Sequence, residues 1–202
     1  MSNSRTMNSE KTKTVAVTGL MIAVTAIMSF VPFLGTIMLP WVSITIAFLP
    51  AIITVMILGF APGVTVAAAA GIFSLMRALI IPTTWLSVFL QNPLVSVAPR
   101  IMIAVTVFLV FRVLIKTKLP KTATIAISAA VGSITNTVGV LGMVWLLYAA
   151  PLHDVALGGG HASVWALLMF IVTSNALLEV VGNTFIATMV VLTLMKAKIS
   201  KI

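Results

Sequence analysis

Cysteine is absent from the 202 residues, and charge is scarce: 7% of the side chains are charged, and only three are acidic. The first absence excludes disulfides, thiolate nucleophiles and zinc–cysteine sites. Two histidines leave little from which to build a transition-metal site, so no metal and no cofactor is expected. The shortage of charge excludes more. A soluble domain carries roughly 25% charged residues, and without them its surface could not be kept in water. Hydrocarbon makes no such demand. With 61% hydrophobic residues, the chain reads as one whose solvent is lipid.

A spanning helix needs about 20 mostly apolar residues. Six runs approach that requirement: Thr14 to about Phe33, Val42 to Leu58, Val64 to Ile81, Pro99 to Ile115, Thr122 to Ala149, and Ser163 to Met195. The stretch Gly59-Phe60-Ala61-Pro62-Gly63 separates the second from the third; Pro82 and Pro151 stop the third and fifth. The expected fold is an all-α membrane protein, a bundle of six transmembrane helices in one domain over 14–195. A polar segment, 1–13, precedes it and a basic tail, 196–202, follows. The first run is too long for the apolar core of a signal peptide, and no small-x-small cleavage site follows it before the next run, so it reads as a first helix.

Basic residues set the orientation. Arg5, Lys11 and Lys13 precede the first run. Arg112, Lys116, Lys118 and Lys121 lie between the fourth and fifth, and Lys196, Lys198 and Lys201 form the tail. With six spans these three segments share one side, which then holds 10 of the 12 basic residues. That side is expected to be the cytoplasm, with both termini in it. Nucleic acid is not an expected partner, because no soluble module concentrates these charges beside aromatic residues.

Arg77, Arg100, Asp154 and Glu179 are the charged residues away from those flanks. Charge in or near hydrocarbon is costly and usually faces a bundle interior or a cavity. Arg100 follows Pro99, and proline favours the first helical position. This places Arg100 in the first turn of the fourth helix, at its outer end, where free N–H groups and a guanidinium together suit a carboxylate. The alternative is an arginine snorkelling to the headgroups. In the fifth run Gly132, Asn136, Gly139 and Met143 share a face. An amide as deep as Asn136 must find a partner, either another helix or a ligand. Asn175, Glu179 and Asn183 form one polar stripe on the sixth run, open to a structural or a binding reading.

Two outer connections are long. Pro82 to Ala98 carries Trp85, Gln91 and Asn92 and is too apolar for a plain solvated loop, so a re-entrant or capping segment is expected. Pro151 to Ala162 carries His153, Asp154, Gly158-Gly159-Gly160 and His161; without a P-loop ending it reads as an outer loop or lid. On the first run Ala16, Gly19, Ala23 and Ala26 form a ridge of small residues. Such a ridge permits close approach of a helix, from the same bundle or from a partner.

Taken together, the chain resembles a substrate-binding S component of the energy-coupling-factor (ECF) vitamin transporters over essentially its full length. The resemblance rests on six spans, cytoplasmic termini and the small-residue ridge. It also rests on Asn92-Pro93, Ala98-Pro99-Arg100, and Gly132-Ser133-Ile134-Thr135-Asn136-Thr137. The last two segments are similar to the pantothenate-specific branch. In the sixth run Asn175-Ala176-Leu177-Leu178-Glu179 departs from an expected Asn-Gly-x-Pro-Glu-like segment, so no ligand role is carried over to that run.

The resemblance implies a non-enzymatic transport subunit that captures a vitamin from outside. It would dock on a membrane coupling protein carrying two ATPases, and topple to release the vitamin inward. It implies Arg100 on the carboxylate of pantothenate and Asn136 on the amide or hydroxyls, with Trp85 and Asn92 contributing. The ridge Ala16, Gly19, Ala23 and Ala26 would meet the coupling protein. Other readings are an S component for pyridoxine or a thiamine precursor, a proton-coupled carrier using Glu179, and a membrane enzyme using His153, Asp154 and His161.

Overall fold

A computed structural model describes residues 2–31, 34–38, 43–82, 85–155 and 176–197. Its seven described helices are α1 (Ser2–Phe30), α2 (Leu49–Leu58), α3 (Phe60–Ile80), α4 (Trp85–Leu90), α5 (Pro93–Leu114), α6 (Lys121–Val155) and α7 (Leu177–Lys196). Two short strands, β1 (Thr36–Met38) and β2 (Ser43–Thr45), pair antiparallel between α1 and α2, with Thr36 opposite Thr45. The chain is thus an all-α, multi-spanning membrane bundle with one small hairpin. Five described helices (α1, α3, α5, α6 and α7) are long and apolar enough to cross a membrane.

The second expected span differs. Its helix begins at Leu49 rather than Val42, because Ser43-Ile44-Thr45 is taken into the hairpin. Ten residues rise only about 15 Å, half of a hydrocarbon core of about 30 Å. All ten are buried. So α2 is apolar because protein surrounds it, and the described helices do not establish six full spans. Around it gathers the core, including Ile52, Met56 and Ile57 of α2, Val66 of α3, Ile103 and Val107 of α5, Ile125 of α6 and Val191 of α7.

Other boundaries shift for identifiable reasons. Residues 2–13, expected as a polar segment, continue α1, whose apolar part is Glu10–Phe30. Helix α3 starts at Phe60 instead of Val64, so Pro62 and Gly63 lie in its first turn, where a missing N–H costs nothing. One residue, Gly59, separates α2 from α3, at φ 99° and ψ −168°, a conformation essentially restricted to glycine. Pro151 does not end α6, which continues to Val155. The Gly158–Gly160 triplet, His161 and Asn175 lie outside the described residues.

Three glycines bring the helices together. A Cβ on Gly71 of α3 would lie 2.8 Å from the Cα of Val97 on α5. On α6, a Cβ at Gly132 would lie 2.7 Å from Val107 Cγ2 and 2.8 Å from Ile52 Cδ1. One at Gly139 would lie 3.0 Å from Pro99 Cβ. The shared face of Gly132, Asn136 and Gly139 therefore looks onto α5 and α2.

Candidate functional site

Threonine and serine are tolerated in lipid when the hydroxyl bonds to the carbonyl one turn back. Thr25 donates to Met21 O at 2.7 Å, Thr54 to Pro50 O at 2.6 Å, and Ser128 to Thr124 O at 2.8 Å. Polar groups that do not close on their own helix mark places where the interior does something else. These gather where α3, α5, α6 and α7 meet.

Arg100 is buried, 8% exposed. It does not occupy a first turn. Asn92 caps α5, accepting from Leu94 N at 3.0 Å, and Pro93 takes the first helical position. Pro99 then falls inside the helix, and Arg100 lies about 10 Å along the axis from Pro93. The free N–H groups of this helix start are therefore not beside the guanidinium. Arg100 is instead held within the bundle. Its Nη2 donates to Ser74 Oγ of α3 at 3.3 Å, while Nη1 has no partner among the described residues. At this depth the side chain faces the bundle interior, which excludes the snorkelling alternative.

Asn136, also buried, donates from Nδ2 to Glu179 Oε1 of α7 at 3.4 Å; its Oδ1 is unpartnered among the described residues. Arg100 and Glu179 lie within reach of each other's charge. Pro99 touches α6 at Gly139, one turn from Asn136, so the arginine and the amide flank a single helix crossing. Buried Ser133 adds to that face of α6 a further hydroxyl with no partner among the described residues.

The α7 stripe faces inward as its spacing suggests: Glu179, Asn183, Ala187 and Val191 are buried at successive fourth positions. Asn183 has a fixing role. Its Nδ2 donates to Thr45 O of β2 at 3.1 Å, tying the hairpin to the bundle.

Asn92 is engaged by its own structure. Besides capping α5, it donates to Tyr148 OH of α6 at 3.1 Å, and Tyr148 meets Phe89 of α4 edge-on at 5.1 Å. Gln91 donates to Ala78 O at 3.3 Å, and Ser96 Oγ donates to Leu90 O. The Pro82–Ala98 stretch is thus the short helix α4 followed by the first turns of α5, fastened where the two meet. Trp85 opens α4, and its side chain lies outside the described ones. No cluster of three potential metal ligands occurs among the described residues.

On α1 the buried side is formed by Thr25 and Ser29. Ala16, Gly19 and Ala23 are exposed, and Ala26 is half-buried. A Cβ at Gly19 would meet nothing within 4 Å. Among the described residues the small-residue ridge is left uncovered, and its internal-packing alternative holds there at most for Ala26.

Ser74, Ser133 and Tyr148 were not singled out from sequence. A cue existed for Ser74: a buried guanidinium requires partners, and Ser74 lies one turn from Gly71, where α3 and α5 approach closely.

No individual curated protein matches the chain. A sequence profile does: that described as ECF transporter, substrate-specific component, over residues 13–191. This covers most of the length and coincides with the helical bundle, so the chain belongs to the ECF transporter substrate-specific component family.

Proposed function

We propose that this chain is the pantothenate-binding S component of an ECF importer. The observation that carries the reading is Arg100, a buried guanidinium with one amino group on Ser74 and the other unpartnered among the described residues. A guanidinium cannot shed its charge, and charge buried in a membrane needs an opposing one. Glu179 supplies part of that charge and is held by Asn136. A carboxylate ligand on Nη1 completes the set. Asn136 Oδ1 and Ser133 Oγ then meet the amide and hydroxyls of the same molecule. Trp85, at the start of α4, contributes to the vitamin's contacts in this reading, and Asn92 acts by fixing α4 and the start of α5. Pyridoxine and thiamine precursors lack the carboxylate and leave Nη1 without its partner.

Transport follows from the partners. ECF transporters pair such a component with a membrane coupling protein and ATPase subunits. The exposed ridge of Ala16, Gly19 and Ala23 serves as the docking face, since small side chains allow close approach without deep interlocking. Toppling of the docked component then releases the vitamin to the cytoplasm.

The test is titration of the purified chain with pantothenate, followed by the fluorescence of Trp41, Trp85, Trp145 and Trp165. Saturable binding that other water-soluble vitamins do not compete away is the expected result. A response to pyridoxine or a thiamine precursor, with none to pantothenate, would refute the ligand and the Arg100 assignment together.

A further inference from the structure

Away from Arg100, a cavity opens at the end of the bundle where α5 finishes and α6 begins. It measures about 200 Å³ and is lined mainly by apolar side chains, Phe111, Ile115, Leu119, Ile125 and Met195, together with Lys121 and Thr124. The walls are fixed: Phe111 and Ile125 belong to the main core. Its size exceeds the roughly 150 Å³ of an apolar cavity that accepts benzene, so it admits a piece of hydrocarbon. Its rim has a different character. Lys121 is itself a lining residue, Lys116 and Lys118 fall in the chain between the lining Ile115 and Leu119, Lys196 follows the lining Met195, and all four lysines are exposed.

Of the three acidic residues, Glu10 lies at the start of the apolar part of α1 and the other two are distant along their helices. None falls between residues 11 and 153. Along their helices, Asp154 is about 50 Å from Lys121 and Glu179 about 26 Å from Lys196. Arg112 is turned onto the Phe108 ring, 5.7 Å from its centroid, and is left out of the rim. An apolar cleft with a one-sign cationic rim, at the boundary of hydrocarbon and headgroup, has the chemistry of an amphiphilic anion. Basic pockets between helices on the cytoplasmic side are suited to anionic lipid headgroups.

We propose that this cleft binds one anionic glycerophospholipid of the leaflet carrying the α5–α6 connection, with part of an acyl chain against Phe111 and Ile125 and the phosphate among Lys116, Lys118, Lys121 and Lys196. The inference does not depend on the identity of the transported vitamin.

Native mass spectrometry of the purified chain tests it, comparing phosphatidylglycerol with phosphatidylcholine of matched acyl chains. One phosphatidylglycerol is retained in preference to phosphatidylcholine. Lys121→Gln weakens its retention about fivefold, equivalent to about 1 kcal/mol. Ile115→Trp, an exposed position at the mouth, weakens retention of both lipids. Lys11→Gln with Lys13→Gln, at the start of α1, leaves retention unchanged. Equal retention of the two lipids, an effect of the α1 pair as large as that of Lys121→Gln, or no effect of Ile115→Trp would each overturn the site.

Discussion

Replacing Arg100 by methionine keeps a long side chain in the same space and removes the cation. The loss can be bounded from the contacts. Nη2 already rests on Ser74, so Nη1 is the donor available to a ligand. A hydrogen bond to a charged group contributes about 1.5–3 kcal/mol. The substitution should therefore cost pantothenate about 2–3 kcal/mol, or roughly 30- to 150-fold in Kd. Pantothenol, in which an alcohol replaces the carboxylate, keeps its contacts with Asn136 and should lose under about fivefold. The assay is tryptophan fluorescence or calorimetry with both ligands on wild type and variant, beside a melting curve to confirm the bundle. Equal losses for acid and alcohol would refute the carboxylate role, because a general disturbance of the pocket cannot distinguish the two.

Gly19→Trp or Ala23→Trp should leave vitamin binding within about twofold in the isolated chain and abolish uptake by the assembled transporter; lost binding would show that α1 packs inward there. Gly139→Leu drives a side chain into Pro99 and should destabilise by about 1–3 kcal/mol, read from thermal melting in detergent. Asn92→Ala removes both the α5 cap and the bond to Tyr148 and should cost about 1 kcal/mol or more. Tyr148→Phe removes only the second and should cost less; the reverse order would make the cap unimportant. Gly59→Ala forces a Cβ into a conformation closed to it and should cost about 1–3 kcal/mol by the same melting assay.

The bundle is legible in the sequence because lipid imposes one strict demand, that backbone groups pair within each span. Apolar runs therefore map onto α1, α3, α5, α6 and α7 with errors mainly at their ends. Those errors share a cause. Pro62, Pro99 and Pro151 were each read as punctuation, yet all lie inside helices. A proline in a first turn, as Pro62 is, costs no helical hydrogen bond, and one further in, as Pro99 and Pro151 are, can bend a helix instead of ending it, so a proline alone does not fix a helix end. Helix α2 failed for another reason. Hydrophobicity records that a segment avoids water, and burial in protein satisfies this as well as contact with lipid. Nothing in Leu49–Leu58 distinguishes the two until its neighbours are in place.

For the site, the same proline decides the outcome. Read as a helix start, Pro99 put Arg100 at the membrane edge, where snorkelling was a sufficient explanation. Asn92-Pro93 was the stronger start signal, a capping side chain followed by proline at the first position, and the structure uses it. Moving the start back by six residues sends Arg100 two turns into the bundle. At that depth the explanation must be an ionic or polar one. Asn136 and Glu179 were each legible as buried polar residues from their place in an apolar run. Their hydrogen bond was not, since it joins positions 43 apart that only the helix packing brings together. Arg100, Asn136 and Glu179 are legible one by one, and Gly71, Gly132 and Gly139 supply part of their assembly, by letting α3, α5 and α6 close around Ser74, Arg100 and Asn136, to which α7 adds Glu179 through its hydrogen bond from Asn136.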